Sequence, residues 1–357
     1  PTRRSSDLVM IDSFRGTVDR WLQRTLAADL YLSPPDRVAA RHFAPLPTGL
    51  DERVRAIEGV RAISTGWRVE VRGPQGPTPL LALDPAPASL DAIRLRGGDA
   101  EKTWQQFRSG EAVLVSEPWA LRHDVAAGDT VTLWTGRGPQ PFPIAGVYHD
   151  YNTDRGVILM HRDLYERGWD ETRVSSIGVF IEPGADPSAV RERVRAAAVA
   201  ADAPVRVRDS ASIRELSLKV FDQTFAITAV LRMLALAVAF VGVLTALLAL
   251  QIERRRELAV LRATGATPAQ VRTQVTLQTG TMGVLAGLFS LPLGLALSQV
   301  LIHVINRRAF GWTIETHVPP EVLLEALALS VVAALIAGAW PAWQAGRIEP
   351  ATALRAE

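Results

Sequence analysis

The sequence contains no cysteine, and only two of its 39 basic residues are lysines. The absence of cysteine excludes disulfide frameworks, thiolate nucleophiles, thiolate zinc sites and iron–sulfur clusters. Neither Lys102 nor Lys219 follows a glycine, so the chain has no phosphate-binding loop of the Gly-Lys-Ser/Thr type. The 37 acidic residues leave a net charge of +2, which argues against the basic face of a nucleic-acid binder. We therefore expect neither nucleotide hydrolysis by that route nor a nucleic-acid partner.

Histidines are few, and their spacing does not indicate a metal site. None of the six forms a pair at the i, i+3 or i+4 spacing of a helix face. The nearest approach to a cluster is His149 with Asp150 and Asp154. We expect a solvated loop there and no metal.

Long uncharged runs are absent before residue 232, but three follow it, at 233–252, 273–302 and 326–346. A helix needs about 20 apolar residues to cross the hydrocarbon core of a bilayer. Each run lacks Asp, Glu, Lys and Arg, so we predict three transmembrane helices. Since the runs contain no ionisable side chain, they favour neither a membrane enzyme nor a proton-coupled transporter.

The residues before the first run predict a separate domain. We predict an amphipathic stalk helix at 9–31, because Ile11, Phe14 and Val18 follow a helical spacing. Residues 1–8 resemble the translation of a common sequencing-adapter oligonucleotide, so we expect native sequence to begin near Val9.

Short β-like runs with intervening helices predict an α+β domain over 32–210. One of its helices is well specified, with Asp186 as N-cap and Pro187 at the first helical position. The predicted strands are 68–72, 80–83, 112–116, 130–134, 144–148, 157–160, 177–181 and 205–207.

A second stalk helix, 211–232, continues into the first span without a proline or glycine pair. The arginine-rich loop 253–272 is predicted to be cytoplasmic by the positive-inside rule. The outer loop 303–325 lacks that excess, so the α+β domain lies outside and the tail 347–357 inside.

The second span is rich in small residues, which allow helices to approach closely in lipid. Those we expect to pack are Gly283, Gly287, Ser290 and Gly294. Two alternatives remain open at this point. The residues pack inside this bundle, or they form a seam with a second permease unit or a second copy of the chain.

Two segments carry a specific family resemblance. The loop after the first span has the sequence Glu253-Arg-Arg-Arg-Glu-Leu-Ala-Val-Leu-Arg-Ala-Thr-Gly-Ala-Thr-Pro-Ala-Gln-Val271, and the C-terminal segment begins Trp340-Pro-Ala-Trp-Gln-Ala-Gly-Arg-Ile-Glu-Pro. Both resemble FtsX-like permeases, membrane subunits of ABC transporters of the macrolide-exporter and lipoprotein-releasing type. Segments 110–116 and 128–133 look more loosely like the family's periplasmic module. Segments 13–22 and 28–31 look like the C-terminal unit of the long, two-unit permeases.

The resemblance implies an α+β extracytoplasmic domain on a helical transmembrane bundle with a fourth span upstream. It further implies that the loop docks on a separate cytoplasmic ATPase, which binds the ATP, so the chain itself needs no cofactor and is not an enzyme. The residues we assign to this coupling loop are Glu253, Glu257, Leu258, Leu261, Arg262 and Gly265. Two departures are that Gln278 stands where many members carry an acidic residue, and that no fused ATPase is present.

The implied function is that of a permease subunit in the bacterial inner membrane. ATP hydrolysis in the partner would move the extracytoplasmic domain to export or extract a lipid, lipoprotein or hydrophobic compound. Membrane lipid and an extracytoplasmic partner protein are further expected contacts. The alternative is a signalling or regulatory subunit that uses the same mechanics to control an extracytoplasmic partner.

The predicted topology is tested by cysteine labelling, which is clean in a chain without cysteine. A membrane-impermeant maleimide applied from outside the cytoplasm should label Gly136→Cys and leave Arg254→Cys unmodified. Labelling of Gly136→Cys from the cytoplasmic side alone would reverse the orientation.

Overall fold

The computed structural model describes residues 2–35, 44–201, 204–314, 316, 318 and 320–347. The chain divides into two compact units. One consists of Gly16–Val220 together with Ile305–Thr313, and the other consists of the remaining described residues.

Nine strands of the first unit form one sheet. Their bounds are β1 Leu30–Ser33, β2 Val60–Gly73, β3 Gly76–Asp84, β4 Val113–Ser116, β5 Thr130–Thr135, β6 Gly138–Tyr148, β7 Ile158–His161, β8 Ser176–Ile181 and β9 Arg206–Asp209. The strand order is β3-β7-β4-β6-β5-β2-β8-β1-β9, and β2 pairs with β3 as well. Pairing is antiparallel except for β3 with β7 and β4 with β6. The predicted strands are found, several of them longer than predicted.

The helices alternate with the strands and then follow them. Their bounds are α1 Thr2–Thr25, α2 Leu50–Arg55, α3 Pro87–Asp91, α4 Ala100–Arg108, α5 Glu117–His123, α6 Arg162–Trp169, α7 Pro187–Val199, α8 Ser210–Glu253, α9 Arg255–Ala263, α10 Pro268–Val300, α11 Arg307–Phe310 and α12 Pro320–Ala345. A π-helical segment, Leu301–Asn306, connects α10 to α11. At α7, the Asp186 carboxylate accepts a hydrogen bond from the Ser188 N–H at 2.9 Å, so the predicted cap is confirmed.

Strands β4, β7 and β8 are buried on both faces, which explains why their sequences are almost continuously apolar. Val113 and Val115 of β4 belong to one core cluster, with Trp119 of α5. Leu114, between them, belongs to another cluster with Phe107 of α4. Alternate residues of one strand therefore point to opposite cores. A third cluster lies under α2 and α7 and includes Leu30 and Leu32 of β1.

The predicted stalk helix 9–31 is too long, and the predicted domain start at residue 32 is too late. The helix ends at Thr25, and Leu30–Ser33 form β1, which pairs with β8 and β9. Leu30 and Leu32 alternate into the core, a period of two that overrides the helical pattern ending at Leu26. In addition, Ile305–Thr313 belong to the α+β unit, although the sequence places them in the outer loop.

Three helices in the described part of the chain are long and apolar enough to cross a membrane. The candidate spans are Met233–Leu250, Pro268–Phe310 and Pro320–Ala345. The second begins earlier than predicted because Thr267 and Gln270 form a capping box, in which each side chain binds the other's backbone N–H. Residues 348–357 of the predicted tail lie outside the described part of the chain.

The position of β1 generates a prediction for the isolated α+β unit. A fragment of residues 16–220 should unfold in one cooperative transition. A fragment of residues 32–210 should be less stable, because it lacks half of the strand that joins β8 to β9, namely Leu30 and Tyr31. Thermal unfolding followed by circular dichroism compares the two. Equal midpoints would show that β1 does not stabilise the sheet.

Candidate functional site

The loop after the first span folds as a short helix between two turns. Helix α8 ends at Glu253, and Arg254 adopts a non-helical φ/ψ of −90° and 7° before α9 begins. After α9, Gly265 has a φ of +105°, a conformation that favours glycine because a Cβ would be strained there. A second helix starts at Thr267-Pro268, within the predicted loop 253–272. That helix is α10, the second span, and the loop's own helix precedes Gly265.

The predicted coupling residues fall into two groups in the structure. Glu253 and Glu257 are exposed, and Leu261 is 38% exposed. Leu258 is only 7% exposed, because it packs with Val271, Val275, Ala342 and Ala345. The i, i+3, i+4 spacing of Leu258, Leu261 and Arg262 predicts that they share one helix face. In the structure, Leu258 points into the helical unit. It anchors α9, whereas Leu261 remains available on the surface.

A cleft opens beside α9. Glu257 and Leu261 line it together with Gln274 and Gln278 of α10. Its other lining residues are Leu247, Leu250, Arg254, Leu258, Val275 and Thr279. Sequence analysis singled out Gln278 only as a departure from the family and missed Gln274. Their i, i+4 spacing on α10 was the available signal, since it puts both amides on one helix face.

The junction between the sheet and α8 contains no loop. Strand β9 ends at Asp209, and α8 begins at Ser210. The Asp209 carboxylate accepts a hydrogen bond from the Ser212 N–H at 2.7 Å and lies 3.3 Å from an Arg191 guanidinium nitrogen. Hydrogen bonding from Ser212 and the charge of Arg191 lower the pKa of Asp209, although burial opposes them. Because the strand leads directly into the helix, the first turn of α8 is fixed to the sheet.

Helix α1 is tied to α8 by ion pairs. The Arg214 guanidinium donates two hydrogen bonds to Asp19, at 2.7 and 3.0 Å. Arg15 donates to Asp222 at 2.9 Å. Residue numbers rise along α1 while those of the partners fall along α8, so the two helices run antiparallel. Bidentate pairing of this kind fixes geometry more than it adds stability at an exposed site.

Helices α10 and α12 approach each other through small residues. A Cβ on Gly283 would lie 2.7 Å from Ala334 Cβ, and one on Gly287 would lie 2.7 Å from Leu327 Cδ1. The Ser330 hydroxyl donates a hydrogen bond to the Gly283 carbonyl at 3.0 Å. Ser290 and Gly294 are buried further along the same helix. Of the two sequence alternatives, this contact within the bundle accounts for Gly283 and Gly287.

These features define a membrane protein with an α+β unit and a helical unit. Two family models match the chain: the MacB-like periplasmic core domain over residues 7–197 and the FtsX-like permease C-terminal domain over residues 229–350. The chain therefore belongs to the FtsX-like permeases with a MacB-like periplasmic core domain. The resemblance and fold class predicted from sequence are confirmed. The protein is a multi-pass protein of the inner membrane, with its α+β domain outside the cytoplasm.

Individual relatives agree with this assignment. An ABC transporter permease protein of Mycobacterium tuberculosis, Rv0987, is 36% identical over 98% of this chain and 41% of its own length. A macrolide export ATP-binding/permease protein MacB of Hyphomonas neptunium is 30% identical over 35% of this chain and 18% of its own. The periplasmic region of MacB from Actinobacillus actinomycetemcomitans is 12% identical, with a TM-score of 0.42 over 55% of this chain and 94% of that one. The chain thus spans less than half the length of these two sequence relatives.

The contact between α10 and α12 predicts a position-specific effect of bulk. Gly283→Leu should destabilise the helical unit by about 1 to 3 kcal/mol, the usual cost of overpacking. Gly242→Leu is the matched control, because a Cβ there meets no described atom within 4 Å. Thermal midpoints of the two purified variants in detergent provide the measurement. An equal effect at both positions would contradict the packing.

Proposed function

We propose that this chain is the permease subunit of an ABC transporter that works by transmitting motion. A separate cytoplasmic ATPase binds at the α9 loop, and its cycle moves the α+β domain outside the membrane. The cargo is a lipid, a lipoprotein or a hydrophobic compound. Export of a macrolide by the MacB relative is consistent with a hydrophobic cargo.

The single observation that carries this proposal is the continuity of α8. It is one helix of 44 residues, from the sheet at Ser210 to the α9 loop at Glu253. At 1.5 Å per residue, such a helix is about 66 Å long. No loop interrupts the chain between β9 and the α9 loop, and we propose α8 as the element that transmits the motion.

The α9 loop supplies a surface suited to a protein partner. Leu261 provides an exposed apolar side chain, and the carboxylates of Glu253 and Glu257 lie near it in sequence and are exposed. An apolar contact surrounded by charges is the usual arrangement of a protein interface. Leu258 packs α9 against α10 and α12. Because α9 is already held in place, binding a partner would cost less conformational entropy.

Docking is tested by reversing the charge and the polarity of this surface. Glu257→Arg combined with Leu261→Asp should reduce co-purification with the ATPase, or its stimulated turnover in lipid, by about tenfold, equivalent to about 1.4 kcal/mol. The reason is that both substitutions affect exposed contact groups and leave the buried anchor Leu258 intact. Membrane insertion should be unchanged, because Glu257→Arg strengthens the positive-inside signal.

A matched control places the same new side chain elsewhere. Val199→Asp changes an aliphatic residue of α7 that is 73% exposed and should leave stimulation at the parent level. If the double variant inserts normally and stimulates turnover like the parent, the α9 loop is not the docking site. The cytoplasmic tail, 347–357, would then be tested in its place.

A further inference from the structure

The last residues of the second candidate span and the first residues of the loop after it pack with the α+β domain. Ile305–Thr313 belong to that unit, although the sequence leads from them into α12 at Pro320. Gly311 has a φ of +74°, and a Cβ there would lie 2.7 Å from Pro118 Cα in α5. The approach is close enough that only glycine fits without a shift.

The centre of this attachment is a buried carboxylate. Glu117, the first residue of α5, is only 2% exposed. It accepts hydrogen bonds from the Thr313 N–H at 3.2 Å and from the Thr313 hydroxyl at 2.5 Å. These partners lie 196 positions apart in the sequence. A hydrogen bond to a charged group is worth more than one between neutral groups.

Two cationic or potentially cationic groups surround Glu117. His149 Nδ1 lies 3.1 Å from Oε2, and an Arg96 guanidinium nitrogen lies 3.5 Å from Oε1. Backbone hydrogen bonds from Arg96 N–H to Val147 and from His149 N–H to Arg94 hold both residues at the end of β6. His149 is only 15% exposed and Asp150 is buried, so the solvated loop expected from sequence is wrong here.

The hydrogen bonds outweigh the cost of burying the carboxylate. Burial alone would raise the pKa of Glu117, but hydrogen bonds from His149 and Thr313 and the charges of His149 and Arg96 lower it overall. Glu117 is therefore ionised at neutral pH and able to accept from Thr313. Removing those donors would leave a buried charge without sufficient partners.

The opposite side of Thr313 is bound as well. The Tyr151 hydroxyl donates a hydrogen bond to the Thr313 carbonyl at 2.5 Å. Within the segment, the Asn306 side chain donates to the Trp312 carbonyl at 3.0 Å. Both backbone groups of Thr313 and its hydroxyl are thus engaged, and Tyr151 and Glu117 supply all three contacts.

We propose that Glu117 and Thr313 form a clasp that makes the loop between the second and third spans move with the α+β domain. Glu117 is then a positioning residue, which acts on the spans through Thr313. The inference deepens the proposed function and rests on it for its transmission step. Under it, motion of the domain reaches the membrane helices by two routes, through α8 and through the clasped loop.

The clasp is tested by distances within the full-length permease in lipid nanodiscs. Spin labels at Arg137→Cys and Arg308→Cys, both exposed, report how the loop is held against the sheet. We expect one narrow distance distribution in the parent. Thr313→Val, which removes the hydroxyl donor, and Glu117→Gln, which removes the charge, should both broaden it. Thr313→Ser keeps the hydroxyl and is the matched control, so it should remain narrow.

Transmission is measured on the same variants with the ATPase present. Loss of a charged hydrogen bond should reduce permease-dependent ATP turnover by about tenfold in Thr313→Val and Glu117→Gln. The double variant should be no worse than either single one, because both break the same bond. Circular dichroism melting of the full-length Glu117→Gln variant beside the parent, both in nanodiscs, separates a clasp effect from loss of the fold.

The outcomes distinguish this inference from the proposed function. Narrow distances in Thr313→Val and in a folded Glu117→Gln overturn the clasp, whatever the ATPase does. Broad distances with turnover at the parent level overturn the positioning role. If the parent itself fails to stimulate an ATPase, the proposed function is wrong, and so is the transmission step. The distance distributions would still show whether Glu117 and Thr313 hold the loop against the α+β domain.

Discussion

The passage from strand β9 to helix α8 without a loop fixes the first turn of α8 to the sheet. A loop would let the sheet tilt independently of the helix, but here Asp209 is both the last strand residue and the acceptor for the Ser212 N–H. Strand β9 is in turn held by β1, the only strand that lies between it and β8 in the described sheet. The first turn of α8 is thus attached to an edge strand of the nine-stranded sheet.

The helical unit obeys a different constraint, because lipid provides no hydrophobic driving force for helix association. Contact area and hydrogen bonds must hold α10 to α12, and glycine allows both. Gly283 lets α12 come close enough for the Ser330 hydroxyl to reach its carbonyl. One turn before Gly283 on α10, Thr279 faces Gly338, where a Cβ would lie 2.5 Å from Thr279 Cγ2. Glycine lowers the stability of a helix in a soluble protein, but here it favours the association of α10 with α12.

Local signals in the sequence predicted much of the fold, whereas contacts between distant segments were out of reach. The Asp186 cap of α7 depends on neighbours within a few positions, so it could be predicted. Strand β1 was missed because it has only four residues and directly follows a helix, and its pairing with β8 and β9 involves distant segments. Likewise, which of Leu258 and Leu261 points inward depends on Ala342 and Ala345, over 80 positions away. The family resemblance identified the loop, but it could not predict that Leu258 is buried and Leu261 is exposed.

The contact between Glu117 and Thr313 changes what the outer loop does in such a permease. A loop that only joined two spans would need turn residues and solubility, and it would not need a buried carboxylate on another domain. Burying that charge is costly unless it is fully paired. The donors here are His149, which follows β6, Arg96, which lies between α3 and α4, and Thr313 of the loop itself. The carboxylate is therefore satisfied in full only when the loop is seated. Domain position and loop position are coupled by that requirement, because separating them leaves an underpaired charge in the protein interior.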